Sequence, residues 1–188
     1  AASGVARSAA YGYDSDGVLR PIGLLLENTA TNLIPYSNPA PAAMVSGPDT
    51  PVTAVSDGRA ILGEMLFSIS GDKYVVVGSA TGNATLQAGT YCFSLYSTSD
   101  SPIEMYLRDG EEYKTSTVIK ATSGMFRHYT VFTLTTESVT SMHINNANAH
   151  LVSGFMLESG SYPTSYIQTS GAQATRVADT STSAQATR

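Results

Sequence analysis

The chain has 188 residues, room for one domain with a tail but not for two enzyme-sized cores. Charged residues make up only 13%, Ser and Thr supply roughly a quarter, and a net charge of −5 with ten scattered Lys and Arg excludes a nucleic-acid partner, which needs clustered cations. Cys92 is the only cysteine, so no intrachain disulfide and no thiolate metal cluster can form.

No apolar run approaches the roughly 18 residues of a membrane span, so no membrane insertion is expected. Ala1 to Ala10 lacks the basic start and apolar stretch of a signal peptide. The first residue is Ala and not Met, which points to a processed product or a piece of a longer chain.

Residues 1–50, rich in Ala, Pro and Asn, contain one apolar strand, Ile22 to Glu27, and are expected to wrap a sandwich without a core of their own. From 51 to 167, turn signals recur at short intervals, at Asp57-Gly58, Ser70-Gly71-Asp72, Thr81-Gly82-Asn83, Asp109-Gly110 and Ser123-Gly124. Between them lie strand-like runs rich in Val, Thr, Ile, Tyr and Phe: Lys73 to Ser79, Thr90 to Ser97, Pro102 to Arg108, Tyr113 to Ala121, Phe126 to Thr135, Val139 to Asn145 and His150 to Glu158. Ile61, Leu62, Met65, Leu66 and Ile69 fall at helical spacing, but Gly63 weakens a helix, and the segment reads as a strand buried on both faces. Residues 168–188 turn small and polar, repeat Ala-Gln-Ala-Thr-Arg at 172 and 184, and read as an extended tail ordered against neighbouring chains. The expected fold is all-β, a jelly-roll sandwich between a wrapping segment and a tail.

Catalytic signatures are absent: there is no Gly-x-Ser-x-Gly elbow, no phosphate-cradling loop and no His-Glu-x-x-His helix. His128, His143 and His150 lack ligand spacing and read as structural or solvated, with Asn145 to Asn148 forming a turn between the last two. Cys92, between Tyr91 and Phe93, reads as a buried inert thiol. Asp14-Ser15-Asp16-Gly17 lacks the glutamate of a calcium loop, and Asn83-Ala84-Thr85 is a short glycosylation match. No metal and no cofactor is expected.

Strand parity gives the binding argument. Ile103, Met105 and Leu107 share one face, a core face, while Glu104, Tyr106 and Arg108 share the other. A carboxylate, an aromatic plate and a guanidinium at this spacing are the groups of a sugar site: the ring stacks on a pyranose and the charges make directed hydrogen bonds. Parity also sets Tyr96 against Phe93 and Leu95, and Arg127 and Tyr129 against Phe126, His128 and Phe132. If these strands are neighbours, Tyr96, Glu104, Tyr106, Arg108, Arg127 and Tyr129 form one polar, aromatic surface, with Tyr113 and Lys114 at its rim.

Two stretches carry a family resemblance. The first runs from Ala9-Ala10-Tyr11 through Asp14-Ser15-Asp16-Gly17-Val18-Leu19 and Gly23-Leu24-Leu25-Leu26-Glu27 to Thr31-Asn32-Leu33-Ile34-Pro35-Tyr36-Ser37. The second is Gly154-Phe155-Met156-Leu157-Glu158-Ser159-Gly160-Ser161-Tyr162-Pro163-Thr164-Ser165-Tyr166-Ile167-Gln168-Thr169, closing with Thr175-Arg176-Val177-Ala178-Asp179. Together they resemble the bracketing motifs of tailed-bacteriophage fibre and head-fibre proteins. Leu86 to Ser94 and Gly124-Met125-Phe126-Arg127 resemble strands of that family's carbohydrate-binding jelly roll, with Met125 where Trp is common. The resemblance implies a virion location, a homotrimer, contact with other virion proteins and attachment to host-surface glycan. On physical grounds the brackets themselves read as structural, fastening the chain ends to the sandwich. Their glutamates, Glu27 and Glu158, must reach solvent or a cation such as Arg20 or Arg176.

Three functions follow as expectations. The leading one is a non-enzymatic adsorption domain binding host glycan. The alternative is a purely structural decoration or fibre-assembly domain, in which Tyr106 and its neighbours pack on another subunit. The third, a glycan-cleaving enzyme, needs two carboxyls about 5 to 10 Å apart, with Glu104 and Asp109 or Glu111 and Glu112 as the available pairs.

Overall fold

The computed structural model describes residues 7–13, 19–25, 27–37, 53–55, 66–75, 84–107, 114–122 and 124–179. All regular structure among them is β-strand: β1 (Arg7–Tyr13), β2 (Leu19–Leu25), β3 (Ala30–Asn32), β4 (Thr53–Val55), β5 (Leu66–Val75), β6 (Ala84–Leu86) and β7 (Gly89–Ser97). The series continues with β8 (Glu104–Leu107), β9 (Lys114–Thr115), β10 (Thr117–Thr122), β11 (Met125–Leu134), β12 (Ser138–Thr140), β13 (Met142–Ser159) and β14 (Ala174–Arg176). Every described strand pairing with an assigned register is antiparallel. The all-β expectation therefore holds for the described residues.

The chain divides into two compact units, Ala1–Ala30 with Thr175–Arg188, and Thr31–Ala174. These boundaries differ from the expected ones near 50 and 168: residues 31–37 and 168–174 belong to the larger unit. In the smaller unit β1 and β2 form a hairpin, with Tyr13 opposite Leu19. Glu27 makes a 3.3 Å ion pair with Arg176, one of the two cations expected for it. The Asp179 amide donates to the Glu27 carbonyl at 2.9 Å, and the Ala178 amide to Thr29 Oγ1 at 3.1 Å. Residues 174–179 thus find strand and hydrogen-bond partners within their own chain, which corrects the reading of this stretch as an exit ordered only by neighbours.

In the larger unit the strand order is β10-β11-β7-β13-β5-β4, with β8 also beside β13 and β9 beside β8. The 18-residue β13 is the spine. Its first stretch, Met142 to Asn145, lies between β5 and β8, while Val152 to Ser159 runs along β7. Met142, Ile144, Val152, Phe155 and Leu157 all enter one buried cluster with Phe67, Phe93, Leu95, Met105, Leu107 and Phe132. Each such side chain, fully withdrawn from water, contributes roughly 1.5–3 kcal/mol.

Two expected turns are corrected. Ser70-Gly71-Asp72 lies inside β5, and Asn145 to Asn148 lies inside β13. The register passes from Asn146 opposite Gly71 to His150 opposite Ile69, so three residues of β13 face one of β5. Gly, Asn and Ser tolerate the irregular backbone of such a bulge, and the same residue types read locally as a chain reversal. Consequently the expected strands Val139 to Asn145 and His150 to Glu158 fuse into β13 beyond the short β12, and Lys73 continues the strand begun at Leu66. Residues 61–65 lie outside the described residues.

The two bracketing motifs meet at Asn32, which is fully buried. Its Nδ2 donates to the carbonyls of Phe155 at 3.2 Å and Ile167 at 2.8 Å, while its Oδ1 accepts from the amides of Ile34 at 3.1 Å and Leu157 at 3.2 Å. One side chain thereby satisfies backbone of three segments where no ladder is available. Ser37 and Thr169 interlock nearby: the Ser37 amide donates to Thr169 Oγ1 at 2.7 Å and the Thr169 amide to Ser37 Oγ at 2.9 Å. The fastening role assigned to these segments in the larger unit is what this geometry performs.

Candidate functional site

Parity holds strand by strand. Along β8, Met105 and Leu107 are fully buried, Glu104 is exposed and Tyr106 half-buried. Along β7 and β11, Phe93, Leu95 and Phe132 enter the core, while Tyr96 and Tyr129 are half-buried on the other side. The single surface does not form, because β8 pairs with β13 and β9 and not with β7 or β11. Tyr106 lies opposite His143 and Tyr96 opposite Ser153, ten positions apart along β13 (153 − 143). Two separate faces result. Arg108 and Tyr113 lie outside the described residues, as do Asp109, Glu111 and Glu112 of the hydrolase pairs.

The first face is formed by rows across β11, β7 and β13: Arg127, Tyr96 and Ser153, then Tyr129, Ser94 and Met156, then Val131, Cys92 and Glu158. The chain after β13 folds back onto it. Arg127, only 9% exposed, donates through Nη1 to the Thr164 carbonyl and through Nη2 to Ser94 Oγ at 2.9 Å. Glu158, 1% exposed, accepts from the Thr164 amide at 2.9 Å and from Thr164 Oγ1 at 2.7 Å. Tyr166 sets its ring edge-on to Tyr96, with centroids 6.1 Å apart. Gly154, at φ 61°, lets this approach happen, since a Cβ there would lie 2.9 Å from Tyr96 Cδ2. Burial, reinforced by Glu158 and opposed by Arg127, pushes the Cys92 thiol up to about 12, the inert state expected of it. Solvent or a cation such as Arg20 or Arg176 was expected for Glu158; Thr164 bonds to it, and Arg127 bonds to the Thr164 carbonyl. Arg127, read as a ligand-binding cation, is corrected: its donors fasten the segment around Thr164.

The second face is exposed only in part: Glu104 is exposed, while Asn145 and Tyr106 are half-buried and Tyr106 also packs against the hydrophobic cluster. Tyr106 packs on His143, with ring centroids 4.2 Å apart and planes at 39°. His143 is fully buried, and its Nε2 lies 2.9 Å from Ser141 Oγ. Two register pairs along, on the same side of the strands, Glu104 Oε2 accepts from Asn145 Nδ2 at 2.9 Å on the exposed surface. On the far side of β13 the register partners of His143 and Asn145 are Tyr74 and Asp72 of β5. Lys114 is not a rim group for this face, because its Nζ reaches the Val131 carbonyl at 3.2 Å.

The sequence reading missed His143 and Asn145 as members of this face. Alternation with Met142 and Ile144 was the available signal, overridden by treating the asparagines as a turn. His128 is structural: Nε2 lies 2.9 Å from the Ser99 carbonyl and Nδ1 3.0 Å from Ser116 Oγ, which also accepts the Ile103 amide at 3.0 Å. That arrangement suits neutral imidazole donating through Nε2, and burial lowers its pKa, against the Ser99 carbonyl and with help from His150. Among the described residues no group of three or more His, Cys, Asp or Glu could hold a metal ion. No protein-family model matches the chain, and no curated protein is significantly similar to it.

Proposed function

We propose that this chain is a non-catalytic virion domain of a tailed bacteriophage that binds host-surface carbohydrate through the face on β8 and β13. In this reading the all-β unit is a jelly-roll sandwich and the particle presents it as a homotrimer beside other virion proteins. The observation that carries the binding role is the Tyr106 ring seated on buried His143 beside the solvent-exposed Glu104 and Asn145 pair. A held aromatic plate offers stacking to the C–H face of a sugar, and the polar pair offers directed hydrogen bonds. The phage assignment draws on the resemblance of the bracketing motifs, and their junction at Asn32 supplies a physical reason for residues of that kind at both ends. Trimeric presentation would multiply weak single-site affinity through effective concentration.

Tyr106→Ala tests the site. The expected result is attachment to host cells or isolated surface polysaccharide weakened by about tenfold, the loss of one stacked ring. The ring packs on His143 and against the hydrophobic cluster, so the thermal transition should fall, and attachment is read at a temperature where the variant remains folded. Unchanged attachment in a folded variant would remove the site.

A further inference from the structure

The Glu104 and Asn145 pair fixes its own chemistry. An ionised carboxylate has no proton to give, so the 2.9 Å contact obliges Asn145 to turn its NH2 group toward Glu104. That bond leaves Glu104 Oε1 and Asn145 Oδ1 as acceptors and Asn145 with one further amide hydrogen. Both residues are accessible, Glu104 exposed and Asn145 half-buried. The Tyr106 plate stands two cross-strand pairs away on the same side of the strands.

We infer that this pair selects a sugar ring with two adjacent unsubstituted hydroxyls, one donating to Glu104 and the other to Asn145, while the ring lies against Tyr106. The inference rests on the carbohydrate-binding reading above and narrows it to a substrate class. Acylation of either hydroxyl removes the donated proton and turns an ester carbonyl toward the Glu104 carboxylate or the Asn145 amide oxygen. A site whose polar groups are then left unpaired rejects the analogue far more strongly than lost contact area would. Acidic substituents at the same positions meet like charge.

The test applies the full chain to an array of neutral oligosaccharides, each printed unsubstituted and O-acetylated. The free form should bind at least about tenfold tighter, the effect of one charge-assisted hydrogen bond. Glu104→Gln should bring that ratio several-fold closer to one, and since Glu104 is exposed the variant folds. Tyr106→Ala should weaken both forms alike and leave the ratio unchanged. Acetylated forms bound as well as free ones, or a ratio unmoved by Glu104→Gln, would overturn the inference while carbohydrate binding stands. No binding to any printed sugar overturns both.

Discussion

The two faces of the larger unit use the same vocabulary, tyrosine with ionisable and amide side chains, yet one is sealed by the chain itself and the other meets solvent. The difference lies in what each polar group must satisfy. Residues around Thr164 have no strand partner, so their amide and carbonyl need side-chain acceptors and donors, and Glu158 and Arg127 supply them. On β8 the backbone is already paired with β13 and β9, and Glu104 bonds to the side chain of Asn145. Residue type alone does not distinguish a face that meets solvent from a self-docking face. The presence of an irregular segment needing anchorage does.

The largest effect should follow from breaking the sealed face. Arg127→Ala deletes the donors to Thr164 and Ser94 and is expected to cost about 3 kcal/mol in denaturant unfolding, two hydrogen bonds from a buried charged group. Cys92 reports the same event: buried, with its thiol pushed up to about 12, it should resist disulfide reagents at pH 8 in the native protein. Labelling should accelerate in Arg127→Ala and stay slow in Glu104→Ala, whose stability should move by no more than about 0.5 kcal/mol. Equal stability and equal labelling in the two variants would abolish the distinction between the faces.

Much of this was legible from alternation. Met105 and Leu107 against Glu104 and Tyr106, and Leu95 against Tyr96, were assigned to the correct sides, because a strand's period of two is set by its own backbone. Neighbour relations were not legible. Nothing local says that β8 lies beside the first stretch of β13 while β7 lies beside the second, and the joint surface proposed for six residues fails for that reason. Gly71 and Asn146 misled in a related way: the backbone freedom that allows a reversal also allows a bulge, and only the pairing partner decides between them. Arg176 was one of two cations named for either glutamate and pairs with Glu27, whereas Thr164, which bonds to Glu158, carried no charge to announce it.

A smaller effect should come from Gly154. Its left-handed φ of 61° costs roughly 1–2 kcal/mol for any residue with a Cβ. Gly154→Ala also drives that atom to 2.9 Å from the Tyr96 ring, which must shift beneath Tyr166. The expected loss is about 2 kcal/mol by denaturant unfolding, with faster Cys92 labelling and unchanged carbohydrate attachment. Attachment lost at constant stability would mean that the sealed face contributes to binding after all.

The smallest effect concerns protons and separates the interior from both faces. His128 has its pKa lowered from the ordinary 6.5, chiefly by burial, so between that lower value and 6.5 the unfolded chain binds more protons than the folded one. Its contribution is fully present above about pH 6.5 and is lost as pH falls toward the folded value. Across that window the slope for one group is at most about 1.4 kcal/mol per pH unit. Thermal unfolding followed from pH 8 to pH 5 should therefore show a decline beginning near 6.5 that is flattened in His128→Gln. Glu104→Gln should keep the wild-type decline down to that onset and through it, because the open face takes no part in the bonds from His128 to Ser99 and Ser116. A decline of the same steepness in His128→Gln would assign it to another group and show that folding does not lower the His128 pKa.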